Sequence, residues 1–117
     1  MDTVQILKDA RALIADENNW TQECYARDVQ GEMTLPNNAD AVCFCAIGSI
    51  QKVGEFPVSR RLPLDITELF VGADFEERES SYEVETFVTA FNDTHKHAEV
   101  LALFDRAIAR AESEAVQ

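Results

Sequence analysis

Positive charge is what this chain has least of. Ten lysines and arginines stand against 22 aspartates and glutamates, a formal net charge of −12 over 117 residues. The bases cluster nowhere beyond Arg60-Arg61, whereas a phosphate backbone or an anionic surface is held by grouped Lys and Arg. Neither direct nucleic-acid binding nor membrane binding is expected. No apolar run approaches the ~18 residues of a membrane span. The first residues, Met-Asp-Thr-Val-Gln, lack the basic-then-apolar order of a secretory leader. Three cysteines leave at least one unpaired and suggest no disulfide framework, so a reducing, cytoplasmic setting is expected. Internal repeats and low-complexity tracts are also missing.

What is present reads as one globular domain, 1–117, with an ordered core over about residues 3–112 and a short C-terminal tail. An apolar share of 46% with 27% charged residues supports a packed core. The acids are unevenly spread: residues 65–93 hold nine of them against Arg78 alone. Such a segment suits a basic protein surface.

The centre of the chain is the stretch from Ala39 to Val53, apolar on nearly every side, which predicts a buried helix closed by Gly54 and capped by Asn37 or Asn38. On that helix Cys43 shares a stripe with Ala46 and Ile50, while Cys45 lies near Ser49 on the more polar flank. Ala46 and Gly48 keep the helix surface low enough for another backbone to approach. Before it, Asp2 with Gln5 reads as a capping pair for a helix bearing Val4, Ile6, Leu7, Ala10, Leu13 and Ile14, ended by Asn18-Asn19. Asp28-Val-Gln-Gly31 is turn chemistry and predicts a small hairpin, 23–28 with 32–35.

After it, Asp65 with Glu68 and Ser80 with Glu83 repeat the capping spacing. The first starts a short helix over Ile66–Val71, and Ala73 to Ser80 reads as an exposed connector. Val84, Phe87, Val88 and Phe91 form a stripe that Asn92-Asp93-Thr94 breaks. A last helix over about His95–Ser113 buries Val100, Leu101, Phe104, Ala107, Ile108 and Ala111, with Asp93 or Thr94 as its cap. The expected fold is mainly α: a compact bundle of four to five helices around a buried central helix, with a small β-hairpin.

Trp20-Thr21-Gln22, Ala26-Arg27-Asp28, Cys45-Ala-Ile-Gly48-Ser49, and Asn92-Asp93 leading into His97-Ala-Glu-Val-Leu-Ala-Leu-Phe-Asp-Arg resemble the pattern of an uncharacterised family of small bacterial and phage proteins, a domain of unknown function. The resemblance spans roughly residues 4–110 and is closest in the final helix. Ser49 stands where that pattern has alanine, and the Thr-His-Lys turn before His97 lacks its glycine. The resemblance implies no activity and no cofactor.

The polar residues admit four readings. Cys45 as nucleophile, His97 as base and Asp93 (or Asn92) as orienting group would suit a cysteine-dependent hydrolase. Against it, a thiol inside a helix lacks the amide dipoles that activate cysteines at helix N-termini. Metal binding through Cys43/Cys45 or His95/His97 fails on spacing, so no metal is expected. A structural reading makes Asn92, Asp93 and Thr94 a helix junction and packs His97 against Trp20 or Cys45. A binding reading sets Asp74, Glu76, Glu77 and Glu79 against a basic partner, or lines a small-molecule pocket with Trp20, Gln22, Cys45, Ser49, Asn92 and His97. The binding or regulatory module is favoured over the enzyme.

Overall fold

The computed structural model describes residues 2–71 and 81–115. Mainly α architecture holds: α1 (Thr3–Leu13), α2 (Ala46–Gly54), α3 (Leu64–Thr67), α4 (Ser81–Thr94) and α5 (His97–Ala115) accompany a small antiparallel sheet of β1 (Ala26–Arg27), β2 (Met33–Thr34) and β3 (Cys43–Phe44). The helix pairs in contact include α1 with α2 and α5, and α2 with α4. None of the helices among the described residues is long and apolar enough to cross a membrane.

Asp2 caps α1, its Oδ1 accepting the Gln5 N–H at 2.8 Å. The reciprocal half of that box does not form, because Gln5 Nε2 donates forward to Asp9 Oδ1. Ile6, Leu7 and Ala10 face the core, followed by Ile14. The helix stops at Leu13 without a left-handed asparagine; Asp16 instead caps a 3₁₀ turn, Glu17–Asn19.

The hairpin falls within its predicted span, with Gly31 at φ +81 in the turn and Ala26 opposite Thr34. It gains a third strand, which overturns the helix expected from Ala39. Cys43 and Phe44 pair with Arg27 and Ala26, and helix begins only at Ala46. A short all-round apolar run suits a buried strand as well as a buried helix. Here the amide of Cys45 is claimed by the Tyr25 carbonyl at 3.1 Å, which holds this stretch extended. Burial is continuous from Phe44 to Gln51 all the same. The cap of α2 is neither asparagine: Asn37 Nδ2 donates to the Phe56 carbonyl and Asn38 Nδ2 to Thr34 Oγ1. Cys45 itself caps the helix, its Sγ accepting the Gly48 N–H at 3.3 Å.

Gly48 admits no side chain, since a Cβ there would overlap the Tyr25 carbonyl. This is the close backbone approach expected of it. Gly54 is the last helical residue rather than the closing one. Glu55 takes the left-handed conformation, and the Phe56 ring fills the space beside Gly54.

Pro63, not Asp65, occupies the cap position of α3, and no side chain bonds there. A 3₁₀ turn, Glu68–Phe70, follows and buries Leu69 and Phe70. Ser80 and the acidic residues Asp74, Glu76, Glu77 and Glu79 lie outside the described residues. α4 runs three residues past Phe91, so Val84, Val88 and Asn92, each four apart, share one buried face. Phe87, expected in that stripe, is 36% exposed. α5 starts at His97, and the bond at its start is Lys96 N–H to Glu99 Oε1 at 2.9 Å, not one to Asp93 or Thr94. Val100, Leu103, Phe104, Ala107 and Ala111 form its core face.

Candidate functional site

Asn92 is the polar centre of the molecule. It is 1% exposed and carried by α4 onto the face that packs on α2. Its Oδ1 accepts Trp20 Nε1–H at 2.8 Å and the Ala46 N–H at 3.0 Å. Its Nδ2 donates to the Thr21 carbonyl at 3.1 Å and to Asp93 Oδ1 at 3.0 Å. A carboxamide offers two donors and two lone pairs, so all four are spent. One side chain thus ties the end of α4 to the start of α2 and to the loop at 20–21.

The surrounding residues extend this knot. Gln22 Nε2 donates to the carbonyls of Asn92 and His95 at 3.0 and 3.1 Å, satisfying acceptors left over at the C-terminal end of α4. Asp93 Oδ1 also accepts the Glu23 N–H at 2.9 Å, and Glu23 takes φ +73 to present it. Arg27 donates to Thr21 Oγ1, the Gln22 carbonyl and the Gly31 carbonyl. His97 Nε2 donates to the Ile14 carbonyl at 2.6 Å, and its ring centroid lies 5.3 Å from that of Trp20. Trp20 is therefore gripped at its nitrogen by Asn92 and contacted by the His97 ring.

Cys45 sits at a helix N-terminus after all, the position that normally lowers a thiol pKa. Burial wins over that effect: the side chain is 2% exposed, and desolvation pushes its pKa up to about 12 despite the N–H groups of Gly48 and Ile47. Near neutral pH it is a thiol. Ser49 is fully buried rather than on a polar flank, its Oγ donating to the Ala46 carbonyl at 2.7 Å.

Beside the knot lies a cavity of about 380 Å³. Tyr25, Met33 and Thr34 line it from the hairpin side, Thr89 and Asp93 from α4, and Glu23, Cys24 and Cys45 complete it. Of the residues marked in the sequence, the structure brings Cys45 and Asp93 together on this cavity. Trp20, Gln22 and Asn92 form the knot, His97 contacts Trp20, and Ser49 is inside α2. The Cys24 thiol is also pushed up, by burial first, with Arg27 partly offsetting it. Among the described residues, neither the Glu23 carboxylate nor Asp93 Oδ2 takes a hydrogen bond or an ion pair. No group of three or more His, Cys, Asp or Glu there could hold a metal ion.

Sequence reasoning missed Glu23, Cys24, Tyr25, Met33, Thr34 and Thr89. The apolar Tyr25, Val29, Met33 and Leu35 around a turn were the available signal, because a hairpin has only one face to bury.

The model of a family of unknown function, DUF6197, matches residues 1–110, and the chain belongs to that family. Searches of curated proteins and of solved structures gave no match.

Proposed function

We propose that the chain is a non-enzymatic binding module for a basic protein surface. One observation carries this reading: two acidic residues, Glu23 and Asp93, line the cavity beside the knot, and no basic residue lines it among the described residues. A net charge of −12 reinforces it, since an acidic field steers a cationic partner and rejects anionic ones. In this reading the acidic segment with Asp74, Glu76, Glu77 and Glu79 adds to the negative charge that a basic partner meets.

A cysteine hydrolase gains less support. It needs a thiolate and a free base, whereas the Cys45 thiol is held protonated by burial and His97 Nε2 is engaged by the Ile14 carbonyl.

Fluorescence anisotropy with a labelled arginine-rich peptide tests the proposal. Saturable binding at low ionic strength, weakened by salt and by charge reversal of Glu76, Glu77 and Glu79 to lysine, is expected. Failure of the peptide to bind at low ionic strength would overturn it. Binding indifferent to the three reversals would remove that segment from the docking surface.

A further inference from the structure

We infer that the cavity between the hairpin and α4 receives an arginine side chain of the protein partner, with Asp93 as its charge partner; the inference rests on the binding reading above. Asp93 is held for this role. Two donors, the Glu23 N–H at 2.9 Å and Asn92 Nδ2 at 3.0 Å, both land on Oδ1 and fix the carboxylate plane. That leaves Oδ2 open among the described residues, on a side chain that lines the cavity. Glu23 lines the same space, and its backbone takes φ +73 where its N–H bonds Asp93. The nearby guanidinium of Arg27 is committed to loop oxygens and does not line the cavity.

The remaining walls suit a guanidinium on an aliphatic stem. Tyr25 offers an aromatic ring, over which a planar cation stacks, and Met33 an adaptable thioether chain. The rim argues for a protein rather than a free amino acid. Of seven exposed large hydrophobics among the described residues, five (Tyr25, Val29, Met33, Leu35 and Val42) fall within 25–42. Two of them, Tyr25 and Met33, line the cavity itself, and exposed apolar side chains beside a charged site fit a partner segment that buries neighbours of its arginine. A free amino acid would bring its own carboxylate into an acidic setting; a peptide unit brings none.

The test is a ¹⁵N–¹H titration of the full chain with N-acetyl-arginine methylamide, its neutral isostere N-acetyl-citrulline methylamide, and free arginine. Saturable shifts at Glu23, Tyr25, Thr34, Thr89 and Asp93 are expected with the arginine amide, little with citrulline, and weaker ones with free arginine. Asp93→Asn keeps an Oδ1 acceptor for both donors while removing the charge, so the shifts should be lost in a folded protein. Glu23→Gln should weaken them without touching the Asn92 bonds. Citrulline shifts equal to those of arginine, tighter binding of free arginine, or shifts that survive Asp93→Asn would each overturn the inference. If the arginine-rich peptide binds but these residues stay silent, the cavity assignment fails and the binding reading survives. If neither probe binds, both fail.

Discussion

Two neighbouring regions of this protein use the same kinds of residue for opposite ends. In the knot around Asn92, every side-chain donor and acceptor of the carboxamide has an internal partner. At the neighbouring cavity, Asp93 Oδ2 and the Glu23 carboxylate take no hydrogen bond or ion pair among the described residues, beside exposed Tyr25 and Met33. The residues that look most like a motif (Trp20, Gln22, Asn92, His97) hold the fold, while the less conspicuous ones next to them can meet a ligand. Motif-like spacing therefore does not by itself mark the place where chemistry happens.

Substitutions should separate the two regions by the size of their effect on stability. The largest is expected from Asn92→Ala, which orphans Trp20 Nε1, the Ala46 N–H and the Thr21 carbonyl at once. Urea unfolding should show a loss of about 3–5 kcal/mol. Gly48→Ala comes next, because its Cβ would overlap the Tyr25 carbonyl. Moving the β1 lead-in away from α2 should cost about 2–4 kcal/mol by the same measurement. Trp20→Phe keeps most of the ring but leaves Oδ1 with one donor, and a loss of about 1–2 kcal/mol is expected. Asp93→Asn should move the unfolding midpoint least, by under about 1 kcal/mol, and yet abolish the arginine shifts. A large stability loss for Asp93→Asn would mean that its charge serves the fold through the Glu23 and Asn92 bonds rather than a ligand.

The pH dependence sharpens the contrast further. The folded pKa of Cys45, about 12, lies above its ordinary 9.0. An acid whose pKa is raised by folding binds its proton more tightly in the native state. Its stabilising contribution is whole below pH 9 and is lost as pH climbs through 12. The stability measured by unfolding between about pH 8 and about pH 11 should therefore fall more steeply for the parent than for Cys45→Ala.

Much of the frame was legible from local pattern. The α1 and α5 stripes, the Asp2 cap and the Gly31 turn are set by neighbours within a few residues, and the structure keeps them. The strand at Cys43–Phe44 was not legible, because an apolar run without alternation fits helix and strand alike, and the decision came from the distant Tyr25 and Arg27 backbones. Asn92 looked like a helix breaker, since asparagine competes with the backbone for hydrogen bonds. Four residues after Val88, it instead points inward and finds better partners than its own helix. The cavity was invisible for the same reason: its walls come from segments some 60 residues apart, such as Met33 and Asp93, that only tertiary pairing brings together.

The most direct test is the native-state labelling rate of Cys45 by iodoacetamide near neutral pH, read by mass spectrometry of peptides. With the thiol 2% exposed and kept protonated by burial, Cys45 should stay unmodified while the chain is folded, label freely in denaturant, and ignore His97→Ala unless that substitution unfolds the protein. Rapid labelling of the folded chain, slowed by His97→Ala, would make the knot a reactive centre and contradict the account.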